Sequence, residues 1–152
     1  MFNAITHSRV FVNDQDEALD FYVNKLGLEV SADVDLEFMR WLTVRAPGSE
    51  HNILLEKADS SFRDESSAEL IKELMSKGDA CMFILQTEDC QGSFDNLKSQ
   101  GVEVIEEPVD RFYGVDCAVR DPFGNHIRIT EPKEFDVEMP AKANRDATEI
   151  IQ

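Results

Sequence analysis

Two kinds of hydrophobic period alternate along this chain. Residues 5–12 (ITHSRVFV) are rich in β-branched residues and read as a strand. Asn13 or Asp14 then caps a helix running to about Lys25, with Ala18, Phe21, Tyr22 and Leu26 at helical spacing and Gly27 as its stop. Strands are predicted over 28–34, 38–45 and, after the turn PGSE, 51–58. The run SSAELIKELMSKG (66–78) predicts a capped amphipathic helix ending at Gly78. A second set follows: a strand over 81–87, a helix from Asp89 to about Ser99 closed by Gly101, and strands over 102–107, 113–120 and 126–132. Each set therefore reads β-α-β-β-β.

The sets also match in letters. LGLEV at 26–30 meets QGVEV at 100–104, VRAPG at 44–48 meets VRDPF at 119–123, and ILLEK at 53–57 meets RITEP at 128–132. An internal repeat of about 75 residues predicts paired modules, since neither half buries its sheet well alone. The expected fold is α+β: two β-α-β-β-β modules forming one cupped mixed sheet with helices outside. The expected organisation is a single domain over 1–132, with module one at 4–58, a linker helix at 60–78 and module two at 80–132. A polar tail follows at 133–152.

Composition narrows the partners. The 152 residues carry a formal charge of −16, which disfavours nucleic acid and anionic membrane surfaces. No run approaches the roughly 20 apolar residues that span a bilayer, and MFNAITHSRV lacks the marks of a signal peptide. Cys81, Cys90 and Cys117 are odd in number and show no CxxC spacing, so a reducing cytoplasm is the expected compartment.

The repeat, together with DEALDFYVNKLGLEV and VRDPFGNHIRI, closely resembles the vicinal oxygen chelate superfamily. That superfamily includes glyoxalase I, the extradiol dioxygenases, methylmalonyl-CoA epimerase, and the fosfomycin and bleomycin resistance proteins. The resemblance covers roughly residues 4 to 132. It implies a glyoxalase/bleomycin-resistance-like fold, a deep cleft and a homodimer. In catalytic members it implies a divalent metal (Zn, Ni, Mn or Fe) held by the first and last strand of each half.

Carried over by position, the resemblance leaves one of four metal ligands. His7 matches the first-strand ligand, seven residues before Asp14. The equivalent position before Asp89 is Met82, a poor ligand for such a site. The last-strand position, seven residues after Asp121, is Arg128, which cannot ligate a cation. Through the repeat the fourth-strand position is Ile53. Glu56 and Glu131 lie three residues beyond these positions, and an odd offset on a strand points to the opposite face. The favoured expectation is therefore no metal, with His7, Glu56 and Glu131 as the alternative ligand set.

What remains describes a small-molecule cleft. His7, Arg9 and Phe11 share one parity on the first strand, and Met82, Ile84 and Gln86 on the fifth; Trp41, Tyr113 and Arg128 complete the expected lining. Arg9 and Arg128, if buried, need either internal carboxylates or an anionic ligand as partners. His7 is a candidate base or hydrogen-bonding group. Asp121, Pro122, Gly124 and Asn125 read most simply as a tight turn. The first expectation is a metal-independent protein binding a small anionic or aromatic organic ligand, of the bleomycin-resistance type. The alternative is a divalent-metal lyase of the glyoxalase type or an extradiol-type dioxygenase. A third is a metal-free enzyme working through His7 and Arg128.

Overall fold

The structure, a computed structural model, describes residues 1–135. Residues 136–152 of the expected tail lie outside the described residues. The element order is β1 (His7–Val12), α1 (Gln15–Leu19), β2 (Glu29–Asp35), β3 (Arg40–Arg45), β4 (Asn52–Lys57), α2 (Glu65–Ser76), β5 (Met82–Gln86), α3 (Cys90–Ser99), β6 (Glu103–Arg111), β7 (Gly114–Arg120) and β8 (His126–Pro132). The two β-α-β-β-β modules are present. Their eight strands form two four-stranded sheets, ordered β1-β4-β3-β2 and β5-β8-β7-β6, where one continuous sheet was expected. Among the described residues no helix is long and apolar enough to cross a membrane.

The chain parts into two compact units. The first is Met1–Met82 with Arg120–His126; the second is Phe83–Val119 with the described residues from Ile127. The turn between β7 and β8 thus belongs to the first unit, although it falls in the second repeat.

In the first unit, α1 begins where Asp14 Oδ1 accepts the Glu17 N–H at 2.8 Å, satisfying one of the orphan donors of a helix start. It is α-helical only to Leu19 and then widens into a π-helical segment, Asp20–Lys25, that carries the buried Phe21 and Tyr22. Gln15, also buried, donates to the carbonyls of Arg40 (3.0 Å) and Leu55 (2.9 Å) and so ties the helix to β3 and β4. Val10, Val12, Leu42, Val44 and Leu55 are buried with Ala18, Phe21 and Tyr22. On β1 they alternate with exposed or half-buried residues, the period-two signature of a covered face. The strands β3 and β4 are instead buried on both faces at their centres, Thr43, Leu54 and Glu56 included. The linker helix is shorter than the expected 60–78. It spans Glu65–Ser76, because Asp64 caps it and residues 58–64 form turns closed by Ser60 N–H to Lys57 O (3.3 Å) and Arg63 N–H to Ser60 O (2.9 Å).

The turn after β7 is built around Asp121. Its carboxylate accepts the backbone N–H groups of Phe123 (2.9 Å) and Asn125 (2.8 Å), the Asn125 amide (2.7 Å) and the Tyr22 hydroxyl (2.7 Å). Asn125 also donates to the Phe11 carbonyl at 2.7 Å. Gly124 has φ +101°, and a Cβ there would overlap the Met75 carbonyl, so only glycine fits.

In the second unit, α3 packs Cys90, Phe94 and Leu97 into a core with Cys117, Ile127 and Ile129. β6 runs to Arg111, past the expected 107, and takes Pro108 within it. An outer strand tolerates the missing donor. Beyond β8, Lys133 N–H donates to Tyr113 O (3.0 Å) and Phe135 packs edge-on to Phe112 at 5.4 Å.

Candidate functional site

The face of the first sheet opposite α1 collects five of the expected residues. The β1–β4 ladder pairs His7 with Asn52, Arg9 with Leu54 and Phe11 with Glu56. Partners directly across a ladder share a face, so His7, Arg9, Phe11 and Glu56 all point the same way. Trp41 joins them: its ring lies 5.8 Å from that of His7, tilted by 55°. His7 Nδ1 is 3.0 Å from Thr6 Oγ1, which orients the imidazole. The Arg9 guanidinium lies over the Phe11 ring, 4.3 Å from its centroid, a cation–π contact.

This register corrects one expectation. Counting through the repeat makes Ile53 the fourth-strand position and turns Glu56 to the opposite face. In the structure Glu56 is the one on His7's face, and Ile53 pairs with Ser8 on the other. The cause is a one-residue difference between the halves. The Asn52 N–H donates to Thr6 O, 46 residues back (52 − 6), and the His126 N–H to Cys81 O, 45 residues back (126 − 81). A slip of one residue exchanges the two faces of a strand.

Glu56 is buried, and its carboxylate is already held. Oε2 accepts from Arg9 Nη1 at 3.4 Å and from Arg63 Nη2. Arg63 also donates from Nη1 to the carbonyls of Lys57 (3.0 Å) and Ala58 (2.7 Å). Nothing in the chain's local pattern marked Arg63, which sits in a turn and reaches the face only by tertiary folding. The expectation of a buried Arg9 is corrected as well: its side chain is 50% exposed.

The second sheet shows a different arrangement on its corresponding face. Arg128 is buried and donates to Asp116 Oδ2 from Nε (3.1 Å) and Nη2 (2.6 Å), with Glu106 at 3.7 Å. Burial alone would lower the Arg128 pKa, but the Asp116 carboxylate outweighs it and the pKa rises. The Tyr113 hydroxyl donates to the same Asp116 oxygen at 2.6 Å, and burial together with that carboxylate pushes its pKa up to about 12. Arg111 pairs with Glu106 at 2.6 Å. Among the described residues two cations and two carboxylates meet here, and Arg128 has an internal partner in Asp116. Met82, Ile84 and Gln86 are exposed on β5. The Thr87 N–H to Thr130 O bond (3.0 Å) sets Gln86 beside Thr130 and Ile84 beside Arg128.

Glu131 faces the other way. Its Oε2 accepts the Cys90 N–H at 2.9 Å, serving as an anionic cap at the start of α3. It lies on the helix side of its sheet with Ile127 and Ile129, by alternation along β8.

A metal centre of the kind the resemblance implies does not fit these donors. Glu56 is committed to two guanidiniums, Glu131 to a helix start, and Arg128 stands where the resemblance implies a carboxylate. Among the described residues no group of three or more His, Cys, Asp or Glu side chains is placed to hold an ion. A surface hollow of about 280 Å³ on the first unit, lined by Gln15, Phe38, Met39, Arg40, Lys57 and neighbours, contains none of the expected site residues.

Comparisons with known proteins agree with this architecture. The chain is 32% identical to the uncharacterized protein YurT of Bacillus subtilis (strain 168), over 84% of this chain and 98% of that protein. An uncharacterized protein of Shewanella frigidimarina (strain NCIMB 400) is 29% identical over 82% and 90%. Among solved structures, UcmS2 superposes with a TM-score of 0.81 at 32% identity, covering 86% of this chain and 99% of that one. TnmS3, an antibiotic binding protein from Streptomyces sp. CB03234, superposes with a TM-score of 0.70 at 26% identity, covering 87% and 98%. The family model for the Glyoxalase/Bleomycin resistance protein/Dioxygenase superfamily matches residues 4–129, and the chain belongs to that superfamily.

Proposed function

We propose that this protein binds a small aromatic or anionic organic molecule on the open face of its first sheet, without a metal ion, as a sequestering protein does. The observation that carries this is the set His7, Trp41, Arg9 and Phe11 on one face. Two aromatic rings stand 5.8 Å apart, and beside them a half-exposed guanidinium is supported on a third ring. Rings of this kind offer stacking surface, and a guanidinium offers paired donors to an oxyanion. Thr6 engages His7 Nδ1, which leaves Nε2 as the imidazole atom available to a ligand. The description of TnmS3 as an antibiotic binding protein supports the same class of activity. The proposal includes a homodimer working in the cytoplasm.

Trp41 is the only tryptophan in the chain, so its fluorescence reports on this face. Titration with a panel of aromatic acids should quench it saturably, and Arg9→Gln should weaken that response. The same preparation, purified without tag or chelator, should contain no stoichiometric metal and gain no thermal stability from Ni, Zn or Mn. One tightly held metal per chain, lost in His7→Ala, would instead establish the divalent-metal lyase or dioxygenase alternative.

A further inference from the structure

The charge of the open face is set by a residue that none of its strands carries. Arg63 is anchored by two backbone carbonyls and by Glu56, with its side chain only 11% exposed. Its guanidinium packs over both Phe11 (4.9 Å) and Phe62 (5.3 Å). Arg9 reaches the same Glu56 oxygen only at 3.4 Å, and half of its side chain is open to solvent. Two guanidiniums therefore share one carboxylate oxygen, and the better-held of the two is Arg63. Glu56 is largely neutralised by Arg63. About one positive charge is left over, and it resides on Arg9, over the Phe11 ring and on the same face as the His7 and Trp41 rings.

We infer that Arg63, acting through Glu56, makes this face selective for planar organic anions (carboxylates or sulfonates on an aromatic frame) in a chain whose net charge is −16. Arg63 is a positioning residue: it touches Glu56 and two rings and leaves the ligand to Arg9. Without it, Glu56 would turn its full charge on Arg9 and weaken the selectivity. With Glu56 neutral, Arg9 would be freer still. This inference rests on the ligand-binding role proposed above and specifies the class of ligand.

Two probes with one ring skeleton test it: 1-anilinonaphthalene-8-sulfonate, an anion, and the neutral N-phenyl-1-naphthylamine. Both are titrated, by their own fluorescence and by quenching of Trp41, into wild type, Arg9→Gln, Arg63→Gln, Glu56→Gln and the Glu56→Gln/Arg63→Gln pair. Wild type should prefer the sulfonate by about tenfold, the size of one well-placed charge contact, and Arg9→Gln should abolish that preference. Arg63→Gln should reduce it severalfold with neutral-probe affinity unchanged, Glu56→Gln should increase it, and the double variant, which restores the local charge, should return it to the wild-type value. If Arg9→Gln abolishes the preference but Arg63→Gln and Glu56→Gln leave it unchanged, Arg63 has no such role and only the binding face survives. If neither probe quenches Trp41, or both bind without regard to Arg9, the binding face fails as well. Should Arg63→Gln not fold, Glu56→Gln decides: a rise in sulfonate preference supports the inference, and no change or a fall overturns it.

Discussion

Tyr22 and Asp121 are 99 positions apart in sequence and 2.7 Å apart in the fold, phenol to carboxylate, in a buried setting. The bond joins the π-helical segment of the first repeat to the DPFGN turn of the second, inside one compact unit. Burial raises the pKa of both groups. For Asp121 the hydrogen bonds from Tyr22, Asn125 and two backbone amides work against that rise.

Tyr22→Phe removes one donor from a buried carboxylate and should cost about 1–3 kcal/mol, read as a lower urea midpoint with the m-value unchanged. The pH dependence follows from the sign of the shift. A carboxyl whose folded pKa exceeds its unfolded 3.8 binds its proton more tightly when folded, so its contribution is complete below about pH 4. That contribution is lost as pH rises through the folded value. Tyr22→Phe pushes the folded pKa further up, so Tm should fall more steeply with pH above 4 than in wild type. Asp121→Asn should flatten that component. A parallel pH profile in all three proteins would contradict the assignment.

The Arg128–Asp116 pair predicts a marked non-additivity. Asp116→Ala removes the carboxylate that accepts from Arg128 Nε and Nη2, and should cost about 3–5 kcal/mol. Replacing both residues with apolar side chains of similar volume should recover most of that, because the uncompensated charge goes too. A double variant as unstable as the single one, by chemical denaturation, would show that the pair is needed for packing and not for charge balance.

Asp64 caps α2 and accepts from the Ser66 hydroxyl (2.6 Å), the Ser67 N–H (2.9 Å) and the Ser67 hydroxyl (2.8 Å). These bonds hold its pKa down at about 2, from an ordinary 3.8. A depressed carboxyl stabilises the fold above its unfolded pKa and loses that effect as pH falls through its folded one. Wild type should therefore lose Tm between pH 4 and 2 in a component that Asp64→Ala lacks. Equal slopes in that window would remove the cap from the account.

Thiol reactivity should rank by burial. Cys90 and Cys117 are fully buried with sulfurs 3.6 Å apart, and burial raises both pKa values, that of Cys117 to about 12. Cys81 is only half-buried, and its pKa is raised as well. Iodoacetamide at pH 8 should alkylate Cys81 slowly, and Cys90 and Cys117 only after denaturant is added, as peptide mass mapping would show.

Period and punctuation were legible without any fold. The β-branched run ITHSRVFV, the caps Asp14 and Asp89, and the glycines that close each helix are local signals, and each corresponds to an observed element. The repeat was legible too, because two copies of one pattern need no tertiary knowledge to match. The first helix was placed correctly, but its change to a wider π turn at Asp20 was not. Local spacing hardly distinguishes the two, and what holds the turn is Tyr22 anchored 99 positions away.

Of the candidate site, the sequence determined which residues on β1 share a face, since parity along one strand is local geometry. His7, Arg9 and Phe11 follow from it. The pairing of β1 with β4 is not local. One extra residue between the first and fourth strands of the first half brings Glu56 onto His7's face, while in the second half Glu131 is turned to the start of α3. No count through the repeat could register that shift, because strand register is chosen by which apolar set reaches the core. Tertiary structure alone decided the partners as well: Asp116 for Arg128, Glu56 for both Arg9 and Arg63, Tyr22 for Asp121. A charge is written in the sequence, but what neutralises it depends on which distant chain segment folding delivers within about 3 Å.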